Sequence, residues 1–263
     1  MEQDLFLEVL RALNRANVRY LVIAGRACIF YGATEFTRDL DIWIEPEAVN
    51  LSRIRQAMKH LGARQRFLPP LQQKYLLQGH AAHYMVGDFR IDILGKPPRV
   101  GKFSEAYSSA ESTVIGGVPC LIVDLANLVN MKKTQRARDY EIIQRLVDAV
   151  FEYADANSNE QDTLGHWLAE ELRTIDNLHR MAKKWKNGKN YLKKCSRPIC
   201  KAVLNTGVFD KKSQEYLLSV LEKETQELRL RDREYWRQKM REIREIARNK
   251  GHRIDKGKKL KKG

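Results

Sequence analysis

The apolar residues in the first part of the chain switch repeatedly between helical spacing and strand spacing. Spacings of three and four residues predict helices, whereas alternation and short apolar runs that end at glycine predict strands. The resulting order is that of an α/β or α+β domain. The predicted elements are a helix over 4–16, a strand over 19–24, a helix over 27–31, a strand over 39–44, a helix over 47–61 and one or two strands within 83–94.

The second part of the chain has mainly helical spacing. From Pro119 onward the apolar positions predict helices, and the small polar residues of 154–163 predict a linker. We expect further helices in 164–186 and 212–249, and the last residues are too polar to pack. The sequence therefore predicts a domain over 1–153, a linker over 154–163, a basic helical region over 164–249 and a disordered basic tail over 250–263.

The positive charge of the chain is concentrated in its last third. Residues 183–263 contain 26 Lys and Arg against 10 Asp and Glu, a net charge of +16, whereas the whole chain carries +15. This asymmetry predicts a near-neutral body with an extension that binds a polyanion. A solvated helical face that keeps the protein in solution explains the charge equally well at this point.

The composition favours a globular protein over a membrane-spanning or secreted one. A hydrophobic content of 43% is enough for a core. No apolar run approaches the roughly 18 residues that cross a bilayer, and the first residues form an amphipathic helix pattern without a signal-peptide cleavage region. The surroundings of Cys28 and Cys120 are apolar, which is typical of buried thiols in a reducing compartment. We therefore expect a cytoplasmic protein that does not contact membranes.

Three carboxylates are the main candidates for chemistry. Asp39 and Asp41 are two residues apart on a predicted strand, so they project from the same face. Asp92 lies in a similar alternating segment, and a neighbouring strand would bring it close. Two adjacent carboxylates repel each other, and a divalent cation between them relieves that repulsion. The three aspartates therefore predict a two-metal site, although acidic residues also occupy the wet face of ordinary edge strands.

A glycine precedes this acidic strand and marks a sharp change of chain direction. The strand that ends at Ala24 runs into Gly25 and then directly into a helix. Free backbone N–H groups at such a helix start can hold phosphate oxygens.

Together these segments resemble the nucleotidyltransferase superfamily related to DNA polymerase beta, especially its small bacterial members of the AbiEii and MNT kind. The family pattern of glycine, a spacer, an Asp-apolar-Asp pair and a later single Asp is matched by Gly25, Asp39, Asp41 and Asp92. The resemblance implies an α+β fold whose mixed sheet is flanked by helices. One departure is Arg26, which stands where the family usually has Gly or Ser.

The resemblance also implies roles for these residues. Asp39, Asp41 and Asp92 would be the catalytic and metal-binding carboxylates, with Mg²⁺ or Mn²⁺ as cofactor and an NTP as substrate. Gly25 and Arg26 would hold the β and γ phosphates. Arg38, in the segment just before the acidic pair, is a further candidate for nucleotide binding.

A later basic segment extends the resemblance to about residue 150. Related toxin-like enzymes have a helix there with a nucleotide-contacting lysine followed by an Arg-x-basic-Asp cluster. Lys132, Arg136 and Asp139 have spacings of four and three, which predicts one helical stripe that excludes Lys133. We predict that this stripe steadies the triphosphate. An exposed helix with local ion pairs is the alternative interpretation.

The predicted function is transfer of a nucleoside monophosphate from an NTP to an acceptor hydroxyl. RNA, in particular a tRNA end, is the expected acceptor because the basic region over 183–263 suits it. A toxin–antitoxin role would add a cognate protein partner. The alternatives are an antitoxin-like enzyme that AMPylates proteins and a catalytically inactive protein that binds nucleic acid or a partner.

Three further pairs of residues have spacings that fit functional sites less specifically. His80 and His83 have the spacing of possible metal ligands, whereas the pair Cys195 and Cys200 lacks a second cysteine or histidine pair for zinc. Arg173 and His179 match the loose Arg-His spacing of HEPN-type ribonucleases, which many helical chains match as well.

Overall fold

A computed structural model describes residues 2–33, 36–206 and 209–249. The tail predicted over 250–263 lies outside the described residues. The helices are α1 (Glu2–Arg15), α2 (Ala24–Phe30), α3 (Ala48–His60), α4 (Gln73–Leu77), α5 (Phe103–Ser108), α6 (Leu125–Lys132), α7 (Ala137–Ala156), α8 (Ser158–Glu171), α9 (Ile175–Lys184), α10 (Gly188–Lys194), α11 (Pro198–Asn205) and α12 (Lys211–Asn249). The strands are β1 (Tyr20–Ile23), β2 (Leu40–Ile44), β3 (Arg64–Gln65), β4 (Ala81–Val86), β5 (Phe89–Leu94), β6 (Glu111–Ile115) and β7 (Val118–Ile122).

The chain divides into two compact units. The first contains the described residues of Met1–Phe30, Glu35–Met131 and Glu234–Gly263, and the second contains those of Tyr31–Thr34 and Lys132–Arg233. The first unit therefore combines the sheet with the last part of α12. The units divide between Met131 and Lys132 and between Arg233 and Glu234, whereas the sequence predicted a domain boundary at residue 153.

The strands of the described residues form one sheet in the order β3-β4-β5-β2-β1-β7-β6. The pairs β2–β5 and β1–β7 are parallel and the others are antiparallel, so the sheet is mixed. Every residue of β1 is buried, and Leu40, Ile42, Ile91 and Ile93 of the two central strands have no exposed surface. The prediction of an α+β fold with a mixed sheet flanked by helices is confirmed.

One hairpin differs from the sequence prediction. Residues 118–122, expected to begin a helical region, form β7 and pair with both β1 and β6. The hairpin turns at Gly116 and Gly117, whose φ angles are +52° and +75°. Two consecutive positive φ angles are typical of the tight turns that join antiparallel strands, and glycine adopts them at little cost. The prediction that the chain becomes helical from Pro119 was therefore wrong for residues 119–122, and the helix begins at Leu125.

The second unit is helical. Phe151 of α7 stacks on Trp185 with ring centroids 5.3 Å apart, which supplies part of its core. The predicted linker over 154–163 is largely helical instead, because α7 continues to Ala156 and α8 begins at Ser158. Asp155 and Asp162, which made this segment polar, form hydrogen bonds with Trp185 and Tyr191. The predicted charged helix over 212–249 is present as α12.

The last part of α12 packs within the first unit. A Cβ atom built on Gly79 would lie 2.6 Å from the Tyr235 hydroxyl, so the helix approaches the backbone before β4 closely. In the same region, Nε2 of the buried His80 lies 2.9 Å from Oε2 of Glu242. Within residues 2–33, 36–206 and 209–249, no helix combines the length and apolar character required to cross a membrane.

Candidate active site

Strand register brings two of the three predicted carboxylates side by side. Asp41 of β2 pairs with Asp92 of β5, and Asp92 pairs in turn with His83 of β4. Residues directly opposite each other on paired strands project from the same face of the sheet. The three side chains therefore form a row across the three strands, on the face opposite the fully buried Leu40 and Ile42.

Asp39 lies just before β2, at the level of Arg90 on β5. Nη2 of Arg90 is 2.9 Å from Oδ2 of Asp39 and 3.1 Å from Oδ2 of Asp92. The carboxylates of Asp39 and Asp92 therefore converge on a single nitrogen. Nδ1 of His83 is 2.7 Å from the other oxygen of Asp92, Oδ1. Both oxygens of this buried carboxylate are thus engaged.

These contacts explain how the fold tolerates an acidic cluster. Asp92 is only 7% exposed, and a buried carboxylate is costly unless it is paired and hydrogen-bonded. Arg90 supplies the compensating charge through the end of its guanidinium. Its Nε is buried and has no hydrogen-bond partner in the described part of the chain, so one donor beside the carboxylates is left for an anionic oxygen.

The donor chemistry of the aspartates fits a divalent cation. Mg²⁺ and Mn²⁺ prefer oxygen ligands, and carboxylates on adjacent strands supply them. Among the described residues, however, no group of three or more His, Cys, Asp and Glu side chains is arranged to hold a metal as it stands. The guanidinium of Arg90 contacts both Asp39 and Asp92. A cation at these aspartates would have to compete with that guanidinium.

The turn between β1 and α2 is tight. Ala24 has a φ of +54°, a left-handed conformation that costs about 1 kcal/mol or more for a residue with a side chain. A Cβ atom on Gly25 would lie 2.7 Å from Oγ1 and 2.8 Å from Cβ of Thr37. Close packing against Thr37 is therefore a structural reason for glycine at this position, independent of any phosphate.

The two arginines that the resemblance assigned to nucleotide binding both lie beside aromatic rings. The Arg26 guanidinium carbon is 4.3 Å from the centroid of the Phe6 ring, a cation–π contact. The Arg38 guanidinium carbon is 5.9 Å from the Phe36 ring centroid, and both of these residues are exposed. To reach a phosphate, Arg26 has to leave its aromatic partner, whereas Arg38 is on the surface.

The predicted stripe of Lys132, Arg136 and Asp139 is not one helical face. α6 ends at Lys132 and α7 begins at Ala137, with Arg136 as its N-terminal flanking residue. Lys132 and Asp139 nevertheless meet, because Nζ of Lys132 is 3.2 Å from Oδ1 of Asp139 across the break. Thr134 donates a hydrogen bond to the other oxygen of Asp139. Lys132 and Asp139 therefore contact each other across a break between two helices and not along one helical face. Arg136 is exposed next to this ion pair.

The neighbouring Lys133 belongs to a separate buried ion pair of the second unit. Its Nζ is 2.6 Å from Oε1 of Glu171, and the side chains are 15% and 6% exposed. Burial lowers the pKa of Lys133, and the carboxylate of Glu171 opposes that shift. Glu171 Oε2 has no hydrogen-bond partner within the described residues, and the nearby guanidinium of Arg173 adds to the compensation that Lys133 provides.

The histidines, the arginine and the cysteines that were weaker candidates all have contacts of a structural kind. Burial lowers the pKa of His80 against the opposing carboxylate of Glu242, and the nearby ammonium of Lys239 lowers it further. Arg173 is buried with its guanidinium over the Tyr140 ring, and His179 stacks on Phe209. The thiols of Cys195 and Cys200 are both hydrogen-bonded to the carbonyl of Ala169, so each cysteine has a structural role.

Arg90 was not among the predicted site residues, and His83 was only a weaker candidate. The signal that would have found them is the two-residue connection between β4 and β5, at Gly87 and Asp88. A hairpin that turns there pairs Val86 with Phe89 and therefore His83 with Asp92. Arg90 then follows from strand alternation, because it is two residues from Asp92 on the same face.

Comparisons with known proteins give limited likeness. No protein-family model matches the chain, and no curated protein does. The antibiotic-resistance factor ANT(2'')-Ia in complex with adenylyl-2''-tobramycin has a TM-score of 0.34 and 17% identity over 59% of this chain and 76% of that chain. A candidate nucleotidyltransferase from H. pylori has a TM-score of 0.38 and 17% identity over 87% of this chain and 97% of that chain. JHP933 from Helicobacter pylori has a TM-score of 0.38 and 16% identity over 93% and 99%. These TM-scores are too low to indicate a function for this chain.

Proposed function

We propose that this chain is a metal-dependent nucleotidyltransferase that transfers a nucleoside monophosphate from an NTP to an acceptor hydroxyl. Its carboxylates are Asp39, Asp41 and Asp92. The observation that carries the proposal is the strand register, which pairs Asp41 with Asp92, together with the shared contact of Asp39 and Asp92 with one nitrogen of Arg90.

This register matters because the residues are far apart in sequence but adjacent on two central strands. A fold gains no stability from placing carboxylates together, since their charges repel each other. Strained or costly charge clusters of this kind are therefore typical of functional sites. The clearest case is the buried Asp92, whose partners His83 and Arg90 are both partly exposed.

The chemistry assigns distinct tasks to the side chains. A bound divalent cation would neutralise triphosphate charge and lower the pKa of the attacking hydroxyl. Asp39, Asp41 and Asp92 would supply its oxygen ligands. His83 fixes the orientation of the Asp92 carboxylate through the 2.7 Å contact. The acceptor hydroxyl attacks the α-phosphate in line and pyrophosphate leaves.

The nucleotide contacts are part of the same proposal. Gly25, Arg26 and Arg38 are the candidates in the first unit, and the unpartnered Nε of Arg90 adds a donor beside the carboxylates. Lys132, Arg136 and Asp139 are the candidates in the second unit. Lys132→Ala should weaken NTP binding, and unchanged affinity in calorimetry would rule out a role for Lys132 in NTP binding.

RNA is the acceptor that the charge distribution favours. The +16 charge of residues 183–263 suits a polyanion, and a small-molecule acceptor needs no such surface. A toxin–antitoxin role with a cognate protein partner is consistent with this proposal. AMPylation of a protein is the second candidate, favoured by the exposed apolar Phe36 and Phe67, which are 61% and 59% exposed and suit a protein surface.

Labelling distinguishes these outcomes. The full chain is incubated with each α-³²P-labelled NTP, Mg²⁺ and a cell lysate, and the products are then treated separately with ribonuclease and with protease. Label that ribonuclease releases supports RNA as acceptor, and label that only protease releases supports AMPylation. If no macromolecule or small molecule is labelled with any NTP or with Mn²⁺, the proposal of nucleotidyl transfer fails.

A further inference from the structure

The end of α12 has two faces with different surroundings. The inner face, which includes Tyr235 and Glu242, lies against the segment before β4, as the contacts of Gly79 and His80 show. Ala247 near the end of the helix is 2% exposed. The opposite face carries four exposed arginines. These are Arg237, Arg241, Arg244 and Arg248.

The spacing of these arginines produces a continuous row. They are four, three and four residues apart, and at 100° per residue they lie within an arc of about 60°. Their Cβ atoms are about 5–6 Å from the next along the row, and the row is about 16 Å long at 1.5 Å per residue. Arg237 is paired with Glu234, whereas Arg241, Arg244 and Arg248 form no ion pair among the described residues.

A helix face whose only role is to keep the protein in solution does not need a row of arginines. Solubility is served by mixed charges and by lysine as well as arginine. Arginine is distinguished by a planar guanidinium that binds phosphate through two parallel hydrogen bonds. Insertion into a membrane surface would require an apolar opposite face, and here that face is already packed against the protein around His80.

We propose that Arg241, Arg244 and Arg248, together with Arg237, form a surface that binds the phosphate backbone of RNA. The inference deepens the proposed function, because it names the surface that holds the RNA acceptor and so rests on that function. His80, which contacts the inner face of the helix, is three residues from His83 beside Asp92. The same short stretch of chain thus supports both the arginine row and the acidic site.

The test compares two variants with equal loss of charge. In the row variant, Arg241, Arg244 and Arg248 are replaced by Gln, whose helix propensity is similar to that of Arg. Because the three arginines are exposed, these substitutions remove no buried contact. In the control variant, three exposed basic residues outside 183–263 are replaced by Gln instead, namely Arg11 and Arg15 of α1 and Lys59 of α3. Melting curves verify that both variants remain folded, and fluorescence anisotropy with a labelled single-stranded RNA measures affinity without NTP or metal.

Each phosphate contact adds about 0.7 to the slope of log affinity against log salt on a single strand. Loss of three contacts should therefore lower the slope by about 2 and the affinity at 0.1 M salt by about 100-fold. The control variant should retain both values. Equal losses in the two variants would show that only net charge matters, and no loss in the row variant would show that RNA does not use this face. Either result overturns the inference.

Two further measurements, of lipid binding and of acceptor labelling, distinguish this inference from a lipid-binding surface and from the proposed transfer. If the row variant loses binding to phosphatidylserine vesicles but keeps its affinity for RNA, the surface binds lipid and the inference is overturned. If wild-type protein binds RNA through the row but labels no acceptor, the inference stands and the proposed transfer fails. Point substitutions are required here, because truncation at Arg229 would also remove Tyr235 and Glu242, which pack within the first unit.

Discussion

Replacing Gly25 by alanine tests whether packing or ligand approach explains the glycine at the β1–α2 turn. The new Cβ would lie 2.7 Å from Oγ1, 2.8 Å from Cβ and 3.2 Å from Cγ2 of Thr37. Ordinary contacts between carbon atoms are about 3.5–4.0 Å, so the two segments must separate by about 1 Å. Overpacking of this kind costs about 1–3 kcal/mol, and the higher helix propensity of alanine returns at most about 1 kcal/mol. We expect a net loss of about 1–2 kcal/mol in the free energy of unfolding.

A second substitution shows whether Thr37 is the cause. Thr37→Ala removes Oγ1 and Cγ2 but leaves the contact between the two Cβ atoms at 2.8 Å, so it should rescue Gly25→Ala only partly. Thr37→Gly removes that contact too, and a double-mutant cycle with Gly25→Ala should recover most of the lost stability. Urea unfolding of the four proteins of each cycle measures the coupling.

The refuting result is a Gly25→Ala variant as stable as wild type, or a loss that Thr37→Gly does not recover. NTP binding separates the two roles of the glycine. If the Gly25→Ala and Thr37→Gly double variant is stable but binds NTP weakly, the glycine also serves close approach of the phosphates.

Three further predictions concern charged groups. Lys133→Ala removes the cation in direct contact with the buried Glu171 and should cost about 3 kcal/mol in urea unfolding, although the nearby Arg173 remains. Lys132→Ala should cost about 1 kcal/mol, because Thr134 still donates a hydrogen bond to Asp139; equal losses would contradict this. Arg90→Gln removes the competing guanidinium and should raise Mg²⁺ affinity in calorimetry; lower affinity would contradict it. Because burial lowers the pKa of His80, the unfolded chain binds more protons, so stability should fall as pH decreases below about 6.5. His80→Gln should flatten this part of the stability profile, and an unchanged slope would count against it.

Local patterns were sufficient for the central strands. The alternation around Asp41 and Asp92 predicted which side chains face the core, and Leu40 and Ile42 are indeed fully buried. Alternation is a local property of strands, so a single sequence reveals it. The pairing of the two strands is a long-range property, so the alternation suggested Asp92 on a neighbouring strand but not the register that pairs it with Asp41.

The errors arose where local signals pointed the other way. The apolar spacing from Pro119 onward predicted a helix, yet Pro119 lies in β7, which pairs with β6 on one side and β1 on the other. Proline is uncommon inside paired strands, so it gave no local signal for β7. The break between Lys132 and Ala137 contains neither proline nor glycine, so periodicity continued through it and predicted a stripe. The polar segment around Asp155 looked like a linker because its hydrogen bonds to distant side chains cannot be read from spacing.

The central claim is that the aspartates of the two central strands carry out nucleotidyl transfer, and isotope position in the NTP tests it most directly. Wild-type protein, Asp41→Asn and the control Asp88→Asn, an exposed aspartate of the β4–β5 turn, are incubated with total RNA, Mg²⁺ and NTP labelled at either the α or the γ phosphate. We predict that wild type and Asp88→Asn transfer the α label and not the γ label, and that Asp41→Asn transfers neither while its melting curve shows a folded protein. Transfer of the γ label, or full transfer of the α label by Asp41→Asn, would contradict the account.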